Sequence, residues 1–193
     1  SICTPQEKRN HKKSLCKKGK KTMNIFYLDP DIQKCVELHC DKHVVKMPLE
    51  TTQMLCTVHY RYGGDAPYKP VHAKHPCTLW AGNFYLNYRW LWDFGIALCQ
   101  EYTHRYAKVH ACESVLNKIK YPPKDIPDSQ DYSLYTHNEL SAPPQCMPDE
   151  YKDPQDTVNA YRQYYQHTKA DFCKWTKRAT PHFMKNFVQL ETA

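Results

Sequence analysis

Glycine is scarce in this chain, with five among 193 residues, and alternating runs of β-branched residues are few. Tight hairpins and pleated faces need both, so a β-sandwich or barrel is excluded and an all-α fold is expected. No stretch approaches the roughly 18 successive apolar residues of a membrane span, and no apolar signal-peptide core is present. There is no internal repeat and no glycine-rich loop to cradle phosphate. Ten cysteines occur without a single C-x-x-C pair. They fall instead at apparent helix-face positions (Cys35, Cys56, Cys99, Cys112, Cys173), which reads as reduced, buried thiols. The expected setting is the reducing interior of a cell, with no membrane and no cofactor.

Net charge is missing from most of the chain. Residues 1–22 hold seven lysines and Arg9 against one acid, Glu7, and so account for the whole formal excess of +7. Residues 23–193 are formally neutral, with 19 basic and 19 acidic side chains. The division expected is a basic, flexible arm over 1–22 and one helical domain over 23–193, large enough for a single core. The arm suits a polyanion, since each neutralised phosphate releases counterions, although a solubilising leader would look the same.

Within the domain, Met23–Leu28 is a short apolar entry. Asp29-Pro30 and Asp153-Pro154 read as helix starts, an acid at the cap and proline in the first turn. Apolar periodicity predicts helices from Asp29, from Asp41 to about Tyr60 with a kink at Pro48, and from His75 to about Lys108. Further helices are expected over Cys112–Ile119 and from Asp153 to Lys177. The pattern over 75–108 is apolar on a broad face, the mark of a long central helix. Residues 121–150 hold six of the fourteen prolines and are expected to cross the molecule irregularly.

The densest polar cluster is Asp41, Lys42, His43, Lys46, Glu50 and Gln53. At helical spacing Lys42, Lys46, Glu50 and Gln53 share one face. Such a stripe is either catalytic, with Glu50 as the carboxylate and the lysines toward phosphate, or a solvated face with an ordinary Lys46–Glu50 pair. Aromatic and basic residues interleave around Trp80, Tyr88, Arg89, Trp92, Tyr102, Arg105, Lys108 and Arg162. Rings of this kind can stack bases, and the cations can hold a backbone. Cys35, His39, Cys40 and His43 invite a metal reading, but they lack the ligand spacing of structural zinc sites, and no metal is expected.

Taken as a set, MNIF-x-x-D-x-D-x-x-K (Met23–Lys34), DKHVVKM-x-LE-x-x-Q (Asp41–Gln53), HP-x-x-x-W (His75–Trp80) and NY-x-WL (Asn87–Leu91) resemble a family of small phage proteins. C-x-EYT-x-RY-x-K-x-H (Cys99–His110), AYR-x-YY (Ala160–Tyr165) and W-x-x-R-x-x-P (Trp175–Pro181) extend the likeness to about 185. Through the apolar start, the basic helix with its glutamate and the HP…W helix, the set also resembles the pyrimidine-dimer DNA glycosylases of the endonuclease V-like group. That resemblance implies an all-helical enzyme acting on DNA, expected in the cytoplasm of a bacterial or virus-infected cell; the oligomeric state is left open, with a monomer favoured. In that group an N-terminal α-amine, exposed by methionine removal, attacks the sugar C1′ while a glutamate assists. Asn24 matches the amine-bearing residue and Glu50 the glutamate.

Here 22 residues precede Met23, so the nitrogen of Asn24 is a peptide nitrogen. The expected routes are then water activated by Glu50 or Asp41, or an amine from Lys42 or Lys46. The function expected is excision of a damaged or modified base, with or without abasic-site lyase activity. Two alternatives stay open: a phage-type transferase that hypermodifies DNA bases, and a non-enzymatic DNA-binding or virion-associated protein.

Overall fold

The computed structural model describes residues 23–128 and 141–188, and among these every regular element is helical. The basic arm and part of the proline-rich crossing lie outside the described residues. The helices are α1 (Ile32–Leu38), α2 (Asp41–Arg61), α3 (Pro76–Asn83), α4 (Tyr85–Tyr106), α5 (Cys112–Lys118) and α6 (Thr157–Thr168), with short 3₁₀ turns at 149–151, 170–172 and 182–184. None of the helices is long and apolar enough to cross a membrane.

The core is built on α2 and α4, with α1, α3 and α5 packed around that pair. Their close approach depends on Gly95. A Cβ there would stand 2.9 Å from Thr51 Cγ2 and 3.2 Å from Leu116 Cδ1. The entry segment Met23–Leu28 packs into the core, with Ile25 and Leu28 fully buried. Tyr161 and Tyr165 of α6 reach into the same core.

Local chemistry moves several boundaries from their expected places. At each Asp-Pro the helix starts later: Asp31 caps α1 by accepting from the Lys34 amide, and Asp156 caps α6 by accepting from Asn159. Asp29 and Asp153 instead accept the amides of Asp31 and of Gln155, building a turn just ahead of the real cap. The expected helix over 75–108 is interrupted at Phe84, which is extended at φ −146°, ψ 152°. Groups displaced by the break find other partners: the Tyr85 amide donates to the Pro127 carbonyl at 2.9 Å, and the Gly82 carbonyl accepts from Tyr62 Oη at 2.6 Å. Pro48 does not end α2, which runs on through it for 21 residues. The helix expected as far as Lys177 stops at Thr168.

Candidate active site

Glu50 lies two and a half turns into α2, and its residue is only 7% exposed. A carboxylate so placed needs partners or it would not stay charged. Two are present. Lys46 Nζ, one turn earlier on the same face, is 2.8 Å from Oε1. The backbone N–H of Asn24 donates to Oε2 at 3.2 Å. The glutamate and the residue-24 nitrogen, paired by resemblance, thus meet across 26 positions of sequence.

Asn24 is itself held by both polar atoms of its side chain. Its Nδ2 donates to the Cys146 carbonyl at 2.9 Å, and its Oδ1 accepts from the Ile25 amide at 2.8 Å and lies 2.8 Å from the Tyr161 hydroxyl. The Cys146 amide donates in turn to Tyr161 Oη at 3.3 Å, closing a ring of bonds from the entry segment to α6 and back. Burial raises the Tyr161 pKa well above its ordinary value, so this hydroxyl keeps its proton and serves as a fixed strut. The charge of Glu50 acts on both His75 and Cys77, at the start of α3.

The remaining residues expected at the site lie elsewhere. Nine positions of helix put Asp41 about 13 Å along the axis from Glu50, and Lys42 is about 12 Å away. Asp41 accepts from Arg105 at 2.9 Å and from both the amide and the hydroxyl of Thr176. Lys42 sits over the Phe172 ring at 4.7 Å. Arg105 is buried, with its guanidinium divided among Glu101, Asp41 and the Glu37 carbonyl.

Of the expected stacking rings, Tyr88 is fully buried, its hydroxyl donating to the Ile119 carbonyl and accepting from His59. Trp80 and Trp92 are buried too, bonded through Nε1 to Ser141 and to the Leu116 carbonyl. Tyr102 is half-buried and packs on Tyr106 and His110, and His110 Nε2 donates to the carbonyl of Val45 at 3.0 Å. This places Tyr102 beside the outer strip of α2, where Lys42, Val45 and Leu49 are exposed next to Lys46. Arg89 donates to the Lys120 carbonyl and lies over Trp92, Arg162 donates to the Leu28 carbonyl beside Asp29, and Lys108 is exposed just past α4.

The four donors of the disfavoured metal reading do not converge. His39 Nδ1 donates to the Cys35 carbonyl at 2.7 Å, Cys35 Sγ donates to the Phe26 carbonyl, and His43 bonds Tyr165 and stacks on Phe26. Cys77 and Cys146 were not singled out by the sequence, and His75 and Tyr161 entered only within the motifs HP-x-x-x-W and AYR-x-YY, with no part in the site. His75-Pro76-Cys77 gives only a helix-start signal, and Cys146 and Tyr161 are brought in over distances in sequence that no local pattern spans.

Residues 23–114 match the family model described as pyrimidine dimer DNA glycosylase. The chain resembles that family over the stretch that carries Asn24, Lys46, Glu50, His75 and Cys77, while Cys146 and Tyr161 lie beyond it. No curated protein and no solved structure matches the chain significantly.

Proposed function

We propose that the protein is a DNA N-glycosylase that removes a damaged or modified base, with Glu50 as its catalytic carboxylate. The observation that carries this reading is the meeting of buried Glu50 with Lys46 and the Asn24 nitrogen on the stretch that resembles the family. Breaking the base–sugar bond builds positive charge on the sugar, and a buried carboxylate with one lysine partner stabilises that cation as it forms. Lys46 shares the same face with exposed Lys42, Val45 and Leu49, a mixed strip suited to a phosphate backbone beside an unstacked base. Tyr102 flanks the strip as its stacking ring, and Lys108 and Arg162 supply further phosphate contacts.

The nucleophile follows from the same geometry. Lys46 Nζ is held by Glu50 Oε1 at 2.8 Å, and Asn24 N is an amide in this chain. Glu50 therefore directs water, and the full chain excises by hydrolysis. In a chain whose first residue is Asn24, an α-amine would occupy the position 3.2 Å from Glu50. Its pKa of about 8 leaves a neutral fraction able to form an imine.

Both forms, incubated with DNA carrying pyrimidine dimers or other modified bases and then treated with alkali, test the reading. Strand breaks at the modified positions are expected from each. Borohydride should trap a covalent adduct on abasic DNA only with the chain that starts at Asn24, mapped to its α-nitrogen. An adduct on Ser1 of the full chain, or no strand breaks on any modified DNA from either form, would sink the proposal.

A further inference from the structure

Beside Glu50, three soft donors converge from two distant parts of the chain. His75 is the cap of α3, Cys77 stands in its first turn, and Cys146 arrives from the irregular segment ahead of α6. One ligand atom from each lies within 4.8 Å of the others, and the two sulfurs are 3.5 Å apart. Two thiolates bound to one tetrahedral zinc at about 2.3 Å stand about 3.8 Å from each other, and a thiolate and an imidazole about 3.6 Å. The sulfurs already have that spacing, and the imidazole needs to close by roughly an ångström.

The surroundings hold the donors in place. The Cys146 main chain is pinned on both sides, its carbonyl by Asn24 Nδ2 and its amide by Tyr161 Oη. Cys77 is buried at the start of α3, and its amide donates to His75 Nδ1 at a long 3.2 Å. Ligation by His75 diverts that lone pair or moves the ring proton, and this weak cap bond is all that it gives up.

We propose that His75, Cys77 and Cys146 form a binding site for a thiophilic divalent cation, of which Zn²⁺ is the type. Two sulfurs and one imidazole are the donor set of zinc rather than of magnesium or calcium, which take oxygen. Three protein ligands leave a fourth position for water, and the charge of Glu50 acts on both His75 and Cys77. The cation would tie the segment around Cys146 to α3 and sit at the edge of the candidate active site. This inference stands on the donor geometry alone and holds whether or not the protein excises bases.

Titration of the reduced, metal-free full chain with Co²⁺ and Zn²⁺ tests it. Co²⁺ should produce thiolate charge-transfer absorption and the strong visible bands of tetrahedral cobalt, saturating at one equivalent, and Zn²⁺ should displace it. Cys146→Ser should weaken Zn²⁺ binding at least about 100-fold, since removing even supporting residues of such sites costs 10–100-fold. His75→Asn should do the same while keeping the cap of α3, because asparagine caps well. Cys173→Ser, outside the cluster, should bind like the parent chain.

The proposal is overturned if the parent chain shows no cobalt–thiolate absorption. Unchanged binding in folded Cys146→Ser and His75→Asn also overturns it. So does a Cys77–Cys146 disulfide recovered from protein kept under reducing conditions. Because every readout is binding, a failure here leaves the glycosylase reading untouched, and an inactive protein that binds zinc leaves the site intact.

Discussion

Two buried glutamates in this molecule, Glu50 and Glu101, are solved in opposite ways. Glu101 is 2% exposed and saturated: Arg178 binds both of its oxygens at 3.0 and 2.8 Å, and Arg105 shares Oε1 at 2.7 Å. Burial alone would raise its pKa, but hydrogen bonds from Arg178 and Arg105, with their charges, outweigh that and lower it. Asp41 and Glu37 complete the network, which ties α1, α2 and α4 to the C-terminal segment. Glu50 is almost as buried, yet among the described residues it has one amide and one lysine that is 41% exposed. A carboxylate fully committed to guanidinium groups is a clamp, whereas one paired with a single half-exposed lysine keeps capacity to meet a new positive charge.

The largest expected effect separates the two directly. Glu50→Gln should lower base excision at least ~10³-fold, about 4 kcal/mol of barrier, while leaving the melting temperature nearly unchanged. Glu101→Gln should do the reverse. It leaves Arg105 buried with only part of its charge balanced, so stability should fall by about 3 kcal/mol in denaturant melts. Activity per folded molecule should hold. An active Glu50→Gln protein, or a Glu101→Gln protein as stable as its parent, would erase the distinction.

Acid sharpens the comparison further. His39 packs between the clamp and α6, and burial lowers its pKa to about 3, helped by the His43 and Arg105 charges and opposed by the bond to the Cys35 carbonyl and by Glu101. The unfolded chain takes up this proton near pH 6.5 and the folded chain only near pH 3, so the unfolded state binds more protons in between. Stability is full above pH 6.5 and should fall by up to about 1.4 kcal/mol per unit as pH drops through that window. Below the ordinary carboxylate range Glu101 adds a loss of the same sign, since its depressed pKa favours the folded chain only while it is ionised. His39→Gln should flatten the upper part of the slope, read from melts at a series of pH values, and an unchanged slope would move the acid sensitivity elsewhere.

Which of these features the sequence shows depends on how local their causes are. The Lys46–Glu50 pair is legible because one helical turn makes it, and α2 was readable almost to the residue for the same reason. The interruption at Phe84 was not, because the partners of the displaced groups come from far off in sequence, Pro127 for the Tyr85 amide and Tyr62 for the Gly82 carbonyl. Asp29-Pro30 and Asp153-Pro154 misled by two or three residues, since an aspartate can as well build the turn before a helix as cap it. Arg105, Tyr88, Trp80 and Trp92 look like surface chemistry in a string of letters. Burial, set by the packing of α2 on α4, decides otherwise. Cys146 lies 69 positions from Cys77, and Tyr161 137 from Asn24, so their meeting with the site is visible only in three dimensions.

The smallest effect tests the open side of the comparison, the lysine beside Glu50. A half-exposed pair one turn apart on a helix contributes only about 0.3–0.5 kcal/mol, because water screens it and the lysine loses rotamer freedom to make it. Lys46→Met, which keeps the apolar stem, should therefore shift the melting temperature hardly at all. Activity should still fall about tenfold, since Glu50 loses the cation that orients its carboxylate and the strip loses one phosphate partner. Lys46→Arg should recover most of that loss by restoring a donor of the same charge. If Lys46→Met instead matches Glu50→Gln in its loss and arginine rescues nothing, the lysine is the attacking amine, and borohydride should then trap the full chain at Lys46. If Lys46→Met destabilises the fold as Glu101→Gln is expected to, Glu50 is a second clamp and the contrast between the two carboxylates fails.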